Sequence, residues 1–431
     1  MGLALDGLYS IAAVVGAPAW AYRLLRTGKW RTDWPGRFGR CPKIDSTGHN
    51  RLLIHAVSVG EVNAIRLLAE KLVQSDPTLE IVFSATTDTG LARAKQLFEP
   101  RHQVVRYPLD LTRCVRRFLD AVRPDAVALV ENEVWPNFTE QCARRGIALC
   151  VVNGRLTTRS FKRYNLIRPI ALPMYGRLNA AAVQTQTYAC HFTKLGVPID
   201  RIHVYDTMKW DTAKIADHVD GAEELARAMG LDRSRQIIVA GSTGPGEEKL
   251  LINTCPPSAQ LVLVPRKPER FEQVAQLATG MIRRTQHQDG SKRAIDGQRL
   301  FMIDTIGELR KAYALADAVI VGRSFLGMYG SDMMEPIALG KATIIGPHHS
   351  DFVEIVDALQ SGGGIVATDD PGPVVADLLH DSQRAARLAQ CGRDVISARQ
   401  GATDRHVQLL RSVIKLNTRH ANSDPTTAKL V

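Results

Sequence analysis

The sequence predicts an α/β protein of two doubly wound, parallel-sheet domains, and three observations carry that prediction. The chain has 431 residues, about three times the ~150 residues of one typical domain. Short apolar runs alternate with segments of helical period, the pattern of βαβ units. After a polar stretch at about Asp206 to Asp220, the alternation starts again. The composition, 45% hydrophobic and 23% charged, is ordinary for a globular chain and excludes a disordered, collagenous or coiled-coil protein.

The first organised feature precedes the domains. Gly7 to Tyr22 carry no charge and end on Trp20 and Tyr22; six cations (Arg23, Arg26, Lys29, Arg31, Arg37, Arg40) then face only Asp33, a net +5 over residues 23–40. A cleavable signal peptide carries its positive charge before the apolar run, where this chain has Asp6. The run is short for a ~20-residue span and contains Pro18. The pattern fits a membrane-associated helix over residues 1–30, its basic flank on the cytoplasmic side. The alternative is a buried first helix of the domain.

The net charge of +11 calls for an anionic partner: nucleic acid, a membrane surface or a phosphorylated substrate. Nucleic acid is disfavoured because the cations do not interleave with aromatics on a recognisable element. The seven cysteines are scattered and form no C-x-x-C, which argues against a disulfide framework or a zinc site.

In the first half, Leu52–Val57 reads as a buried strand. A helix with Val62, Ile65, Leu68, Leu72 and Val73 at helical spacing follows. Further strands fall at Ile81–Ser84, Val104–Tyr107, Ala126–Glu131 and Leu149–Asn153. The second half offers Ile237–Ala240, Leu261–Val264, Leu300–Ile303, Ala318–Val321, Thr343–Ile345 and Gly364–Ala367. The domains are expected at residues 31–208 and 209–416, with 206–220 as linker and 417–431, polar and without period, disordered. Two such domains bind ligands at their strand carboxyl ends, along a shared cleft.

The residues after the strands carry the chemistry. Glu61, in Ser58-Val59-Gly60-Glu61, either favours a helix N-terminus electrostatically or acts as a general base. Glu131-Asn132-Glu133-Val134-Trp135-Pro136-Asn137 places two acids at a strand end, with Pro136 suited to open a helix. In the second half, Gly241-Ser242-Thr243-Gly244-Pro245-Gly246-Glu247-Glu248 opens a helix with backbone N–H groups suited to an anion. Pro265-Arg266-Lys267-Pro268 supplies two cations. Asp304-Thr305-Ile306-Gly307-Glu308-Leu309 is another strand-to-helix turn. Gly330-Ser331-Asp332-Met333-Met334-Glu335-Pro336 includes Glu335, suited to a ribose diol. Four such turns in one domain point to a nucleotide. No P-loop, no G-x-G-x-x-G and no D-x-D is present, which disfavours P-loop and dinucleotide enzymes and a metal-held nucleotide sugar.

Together these motifs resemble the 3-deoxy-D-manno-octulosonic acid (Kdo) transferases, membrane-associated glycosyltransferases of lipopolysaccharide assembly. The carrying segments are HAVSVGE at 55–61, ENEVWPN at 131–137, NGRLTTRSFKRY at 153–164, GSTGPGEE at 241–248, PRKPERF at 265–271, DTIGEL at 304–309 and EPIALGK from 335. The resemblance runs in order from the N-terminus to about residue 400. It implies a GT-B architecture of two Rossmann-like domains, with an acceptor in the first and CMP-Kdo in the second, and no metal or other cofactor. It implies that Glu61 deprotonates the acceptor hydroxyl of a lipid A precursor and that Glu131 and Lys209 stabilise the transition state. Donor contacts would fall at Ser242, Thr243, Pro265, Arg266, Ile306, Gly307, Glu308, Asp332, Met333, Met334 and Glu335.

The departures concern the donor. The family carries Asn where this chain has Asp332, a negative charge for Arg323 or Lys341 to offset. Gly244 and Lys267 stand in place of two His, and Asp206 in place of the Gly three residues before Lys209. These leave open a GT-B enzyme using another nucleotide sugar, or a non-catalytic nucleotide- or lipid-binding relative.

Overall fold

The computed structural model describes residues 32–286 and 297–423, together with 5–7, 9, 11, 16, 17, 22 and 26; from 416 onward only the backbone is described. The chain forms two units, Met1–Thr212 with Gly401–Val431, and Ala213–Gln400.

The first unit is built on a seven-stranded sheet: β1 (Arg51–Ala56), β2 (Glu80–Ala85), β3 (Gln103–Arg106), β4 (Ala126–Val130), β5 (Ala148–Gly154), β6 (Ala180–Val183) and β7 (Ile202–Val204). The order is β3-β2-β1-β4-β5-β6-β7, and every pair is parallel. A parallel sheet is covered on both faces, so its strands read as continuous apolar runs. β1, β4 and β5 are buried along their whole length. Alternate side chains then supply two cores. Leu52, Ile54 and Ala56 join Val62, Leu68 and Leu72 on one face. Leu53, Val127 and Leu129 join Phe118 and Phe138 on the other.

The C-terminal helix Ala402–Ser423 lies on the first of these faces through Val407, Leu410, Val413 and Ile414. Residues 401–416, expected in the second domain, therefore belong to the first. The small residues Ala126, Ala128, Ala148, Ala180 and Ala182 line that face and leave room for a helix the local pattern did not assign there. The expected linker is also partly core, since Met208 and Trp210 are each 1% exposed. Helix continues to Ser423 in the segment read as disordered; residues 424–431 lie outside the described residues. Sequence reading missed β6, a run of alanines with one valine, and the three-residue β7.

The membrane-anchor helix expected over residues 1–30 lies mostly outside the described residues, and among the described residues no helix is long and apolar enough to cross a membrane. Of those described, Leu5 is buried. Asp6 accepts hydrogen bonds from the Thr112 N–H and the Asn137 amide, both at 3.0 Å. The Tyr9 hydroxyl donates to Asp110 at 3.3 Å. These residues sit against the first unit, whereas Ile11 and Tyr22 are exposed.

The second unit repeats the plan: β8 (Ile237–Thr243), β9 (Gln260–Pro265), β10 (Ile282–Arg283), β11 (Leu300–Met302), β12 (Ala318–Val321), β13 (Ala342–Ile345) and β14 (Val366–Ala367), in the order β10-β11-β9-β8-β12-β13-β14, again parallel throughout. The two-residue β10 carried no periodic signal. Each sheet has a switch point from which later strands run outward in both directions, between β1 and β4 and between β8 and β12. Ligands of open α/β sheets bind outside the carboxyl ends at such a point.

Candidate active site

Backbone strain marks those carboxyl ends. The non-glycine residues with left-handed backbone among those described are Arg123, Glu131, Asn153, Asp206, Ser242 and Arg323. All but Arg123, a helix C-cap, lie at or just past a strand end. Each such residue costs about 1–3 kcal/mol, a cost that collects at functional sites.

In the first unit, β1 delivers Glu61 on the helix Val59–Ala64. Ser58 caps this helix, its hydroxyl accepting from the Glu61 N–H at 3.4 Å. The same hydroxyl donates to Glu61 Oε1 at 2.9 Å, and the Val57 N–H donates to Oε2 at 2.8 Å. The S-x-x-E spacing is that of a capping box, so the purely structural reading of Glu61 is satisfied. The carboxyl group nevertheless lines a pocket of about 340 Å³ with Glu131, Asn132, Glu133, Arg155, Ser160, Arg163 and Tyr164. Burial pushes the Glu61 pKa up, the Val57 and Ser58 hydrogen bonds pull it down, and Glu133 adds to the rise. Glu133 is itself raised by burial and by Glu131, while the Trp135 indole N–H donates to it at 2.9 Å. The pocket thus gathers three acids with two arginines. A larger groove of about 1130 Å³ adjoins the amino ends of β1, β2 and β3, around Ile44, Thr78 and Gln103, away from these loops.

Asn132 is fixed by two tyrosines: the Tyr175 hydroxyl donates to its Oδ1 at 2.6 Å, and its Nδ2 donates to the Tyr164 hydroxyl at 3.4 Å. Glu133 and Tyr164 fell inside motifs read from the sequence without a role; Tyr175 carried no signal. Lys209 lies on the 3₁₀ turn Met208–Thr212, which packs against the helix bearing Glu61. Asp206, where the family carries glycine, has φ +68°. Aspartate tolerates that conformation through local hydrogen bonds, and the Asp206 carboxylate accepts from Thr207 N–H at 2.8 Å and the Trp210 indole at 3.0 Å.

The second unit uses its acids differently. Glu247, fully buried, accepts backbone N–H bonds from Gly244 (2.8 Å), Arg323 (2.6 Å), Ser324 (2.8 Å) and Phe325 (3.0 Å). It ties the loop after β8 to the loop after β12. Gly322 permits that approach, since a Cβ there would lie 2.5 Å from Thr243 Cα. The amide of Gly244, read from the sequence as facing an anion, is thus taken by Glu247. Glu248, also fully buried, forms two bonds to Arg270 at 2.7 and 2.8 Å and accepts from the Thr243 hydroxyl at 2.7 Å. Arg270, missed in the sequence, is the internal partner, whereas Arg266 and Lys267 are exposed.

The remaining donor-side residues divide by burial. Thr243, Pro265, Met333 and Met334 are buried, Ser242 is 7% exposed and Ile306 83% exposed. Gly307 turns the chain with φ +92°, and Glu308 pairs with Arg284 at 3.2 Å. Asp332 accepts from the Met334 N–H at 2.8 Å. Burial and the neighbouring Asp332 raise the Glu335 pKa, opposed by Arg310 at 3.6 Å. Lys341 does not offset Asp332: it precedes β13, its charged neighbours are Asp317, Arg233 and Arg393, and burial lowers its pKa. Tyr313 also escaped the sequence reading. Its buried hydroxyl has no hydrogen-bond partner, lies against Gly241 and feels Glu335, Asp332 and Arg266. At Gly244 a Cβ would meet the Met328 methyl at 2.2 Å, so Met328 occupies the space a longer side chain would need. Among the described residues no group of three or more His, Cys, Asp or Glu is placed to hold a metal ion.

Comparison with known proteins agrees with this layout. Residues 32–212 match the profile of the family described as 3-deoxy-D-manno-octulosonic-acid transferase (kdotransferase). The transferase of that name from Haemophilus influenzae is 29% identical over 412 residues, covering 91% of this chain and 94% of the relative. That of Bordetella pertussis is 28% identical over 428 residues, covering 94% and 98%. Among solved structures, Acinetobacter baumannii MurG superposes with a TM-score of 0.52 at 15% identity, over 84% of this chain and 99% of that one. Anabaena HepE, solved with UDP, gives 0.53 at 14%, over 84% and 99%. At those identities the likeness is one of fold. The fold is that of enzymes built from two parallel-sheet α/β domains, and the sequence similarity is to glycosyltransferases. Over most of its length the chain is similar to the Kdo transferases, whose family profile matches residues 32–212.

Proposed function

We propose that this enzyme transfers Kdo from CMP-Kdo to a lipid A precursor in lipopolysaccharide assembly, with inversion and without a metal, at the cytoplasmic face of the inner membrane. The observation that carries the reading is Glu61: a carboxylate in a pocket, oriented by Val57 and Ser58, its pKa raised by burial. A base with a raised pKa is a stronger proton acceptor. Glu61 takes the proton of the acceptor hydroxyl; the oxygen bonds to the anomeric carbon of Kdo as the bond to the CMP phosphate breaks. Glu131 and Lys209 stabilise the transition state, and Lys209 and Arg266 offset the charge that grows on the departing phosphate. Ser242, Pro265–Arg266, Ile306–Glu308 and Asp332–Glu335 line the CMP side, with Tyr313 beside them. The net +5 of residues 23–40 suits attraction to an anionic membrane surface that holds the glycolipid acceptor. No nucleic acid takes part.

Incubating the protein with CMP-Kdo and a tetraacylated lipid A precursor and weighing the product by mass spectrometry tests the proposal. A glycolipid heavier by one or more Kdo units supports it, and an unchanged acceptor with intact donor overturns it. Asp332 motivates a second reading, transfer from another nucleotide sugar, since a carboxylate stands where the family has an amide. Stronger thermal stabilisation by UDP or GDP than by CMP would favour that reading.

A further inference from the structure

The C-terminal helix does more than cover the sheet of the first unit. The turn carrying Lys209 is held by residues 55, 190 and 192 positions away in sequence. Both oxygens of Asp211, two residues after Lys209, accept the Gly401 and Thr403 N–H groups at 2.6 Å and so cap the start of the Ala402–Ser423 helix. One residue before Lys209, the Met208 N–H donates to Asn153 Oδ1 at 3.1 Å. Asn153 is fully buried in left-handed backbone, φ +53°, and its own N–H donates to His406 Nε2 at 2.9 Å. His406 is fully buried and lies 2.7 Å, through Nδ1, from the Ala402 carbonyl. A carbonyl only accepts, so Nδ1 carries the proton and Nε2 is the acceptor. The ring is therefore neutral in this arrangement, and Tyr205 packs edge-on against it, ring centres 5.4 Å apart.

We infer that His406 is a positioning residue for Lys209: through Asn153, and together with the Asp211 cap, it sets the backbone of the turn Met208–Thr212 against the helix of Glu61. The inference rests on the proposed role of Lys209 in the transfer step. Holding a group at its productive distance matters because a displacement of about 1 Å can cost roughly 10²-fold in rate.

The test compares CMP release from CMP-Kdo, with a lipid A precursor as acceptor, for the full-length wild type, Lys209→Ala, His406→Leu, His406→Gln and the double variant Lys209→Ala/His406→Leu. Circular dichroism and thermal melting accompany each. His406→Leu keeps the volume and removes the acceptor, so kcat falls about 10- to 100-fold with little change in the donor KM. His406→Gln, whose Oε1 can accept from Asn153, recovers most of the rate. The double variant is no slower than Lys209→Ala alone, because a positioning residue loses its effect once its target is gone. Should His406→Leu prove unfolded, Asp211→Asn, which keeps one of the two cap acceptors, is expected to show the same kcat-only loss. Full activity in Lys209→Ala would overturn the reading of Lys209 itself. An impaired Lys209→Ala beside a folded, fully active His406→Leu, or additive losses in the double variant, would overturn the positioning role and leave that reading intact.

Discussion

The two units place acids at corresponding turns and use them in opposite ways. In the first, Glu61 follows β1 and lines a pocket with two further acids; two groups hydrogen-bond its carboxylate, and burial pushes its pKa up. In the second, Glu247 and Glu248 follow β8 and are fully buried. Four backbone N–H groups consume the one, and Arg270 with Thr243 the other. There the cations Arg266 and Lys267 remain exposed. An acid left short of donors keeps basicity for chemistry, whereas a fully satisfied acid sets loop geometry. The division suits a reaction that needs a base on one reactant and positive charge on the other.

Stability breaks the comparison most severely. Removing one partner of a buried ion pair strands a charge, so Glu248→Ala should lose about 3–5 kcal/mol in denaturant unfolding, against about 1 kcal/mol for Glu61→Ala, the worth of a helix cap. Equal losses would end the distinction. Glu247→Gln comes next: its NH₂ group faces amides that need an acceptor, a cost of about 1–3 kcal/mol. CMP should stabilise this variant less than wild type in a thermal-shift titration, and unchanged stabilisation would show that Glu247 does not shape the donor loops.

Acid sharpens the contrast further. Burial lowers the His55 and His406 pKa values to about 3 and about 4 from 6.5, and both residues lie in the first unit. As pH falls below 6.5 the unfolded chain takes up protons that the folded chain refuses, so their contribution is lost progressively toward pH 4 and then 3. Asp110, raised to about 7 mainly by burial, works the other way and offsets part of this. In the second unit Asp304, lowered by Thr285 and Arg283 against its burial, loses its contribution only as pH falls below the usual carboxylate range. Hydrogen exchange between pH 6.5 and 4 should therefore show the first unit losing protection earlier; simultaneous loss would contradict this. The smallest effect belongs to Ser58→Ala. It removes one bond that favours the Glu61 anion, so the acid limb of kcat/KM moves to higher pH with only a modest change at the plateau.

Much of this was legible locally. β1, β4 and β8 announce themselves as apolar runs, Pro136 opens its helix as expected, and the acids fall after strands because Gly and Ser turns mark them. What the sequence hid is nonlocal. Nothing within ten residues of Val407 tells which sheet the C-terminal helix will cover, nor that His406 meets Asn153 some 250 positions earlier. Arg270 ends a 3₁₀ turn inside the PRKPERF segment and Tyr313 sits on the helix Leu309–Leu315, where cations and aromatics are common. The amide of Gly244 looked available because its acceptor, Glu247, lay inside the same motif and was given no role of its own. The S-x-x-E capping box at Ser58 was visible in the spacing, and it shows that one carboxylate can cap a helix and still face a pocket.

The central claim is that Glu61 is the base. Single-turnover CMP release by Glu61→Gln, with CMP-Kdo and a lipid A precursor at saturation, tests it most directly. Glutamine preserves the size and one acceptor oxygen of the cap but cannot take a proton, so the rate should fall about 10²- to 10⁴-fold with the fold and CMP affinity unchanged. A folded Glu61→Gln enzyme that turns over at the wild-type rate would contradict it.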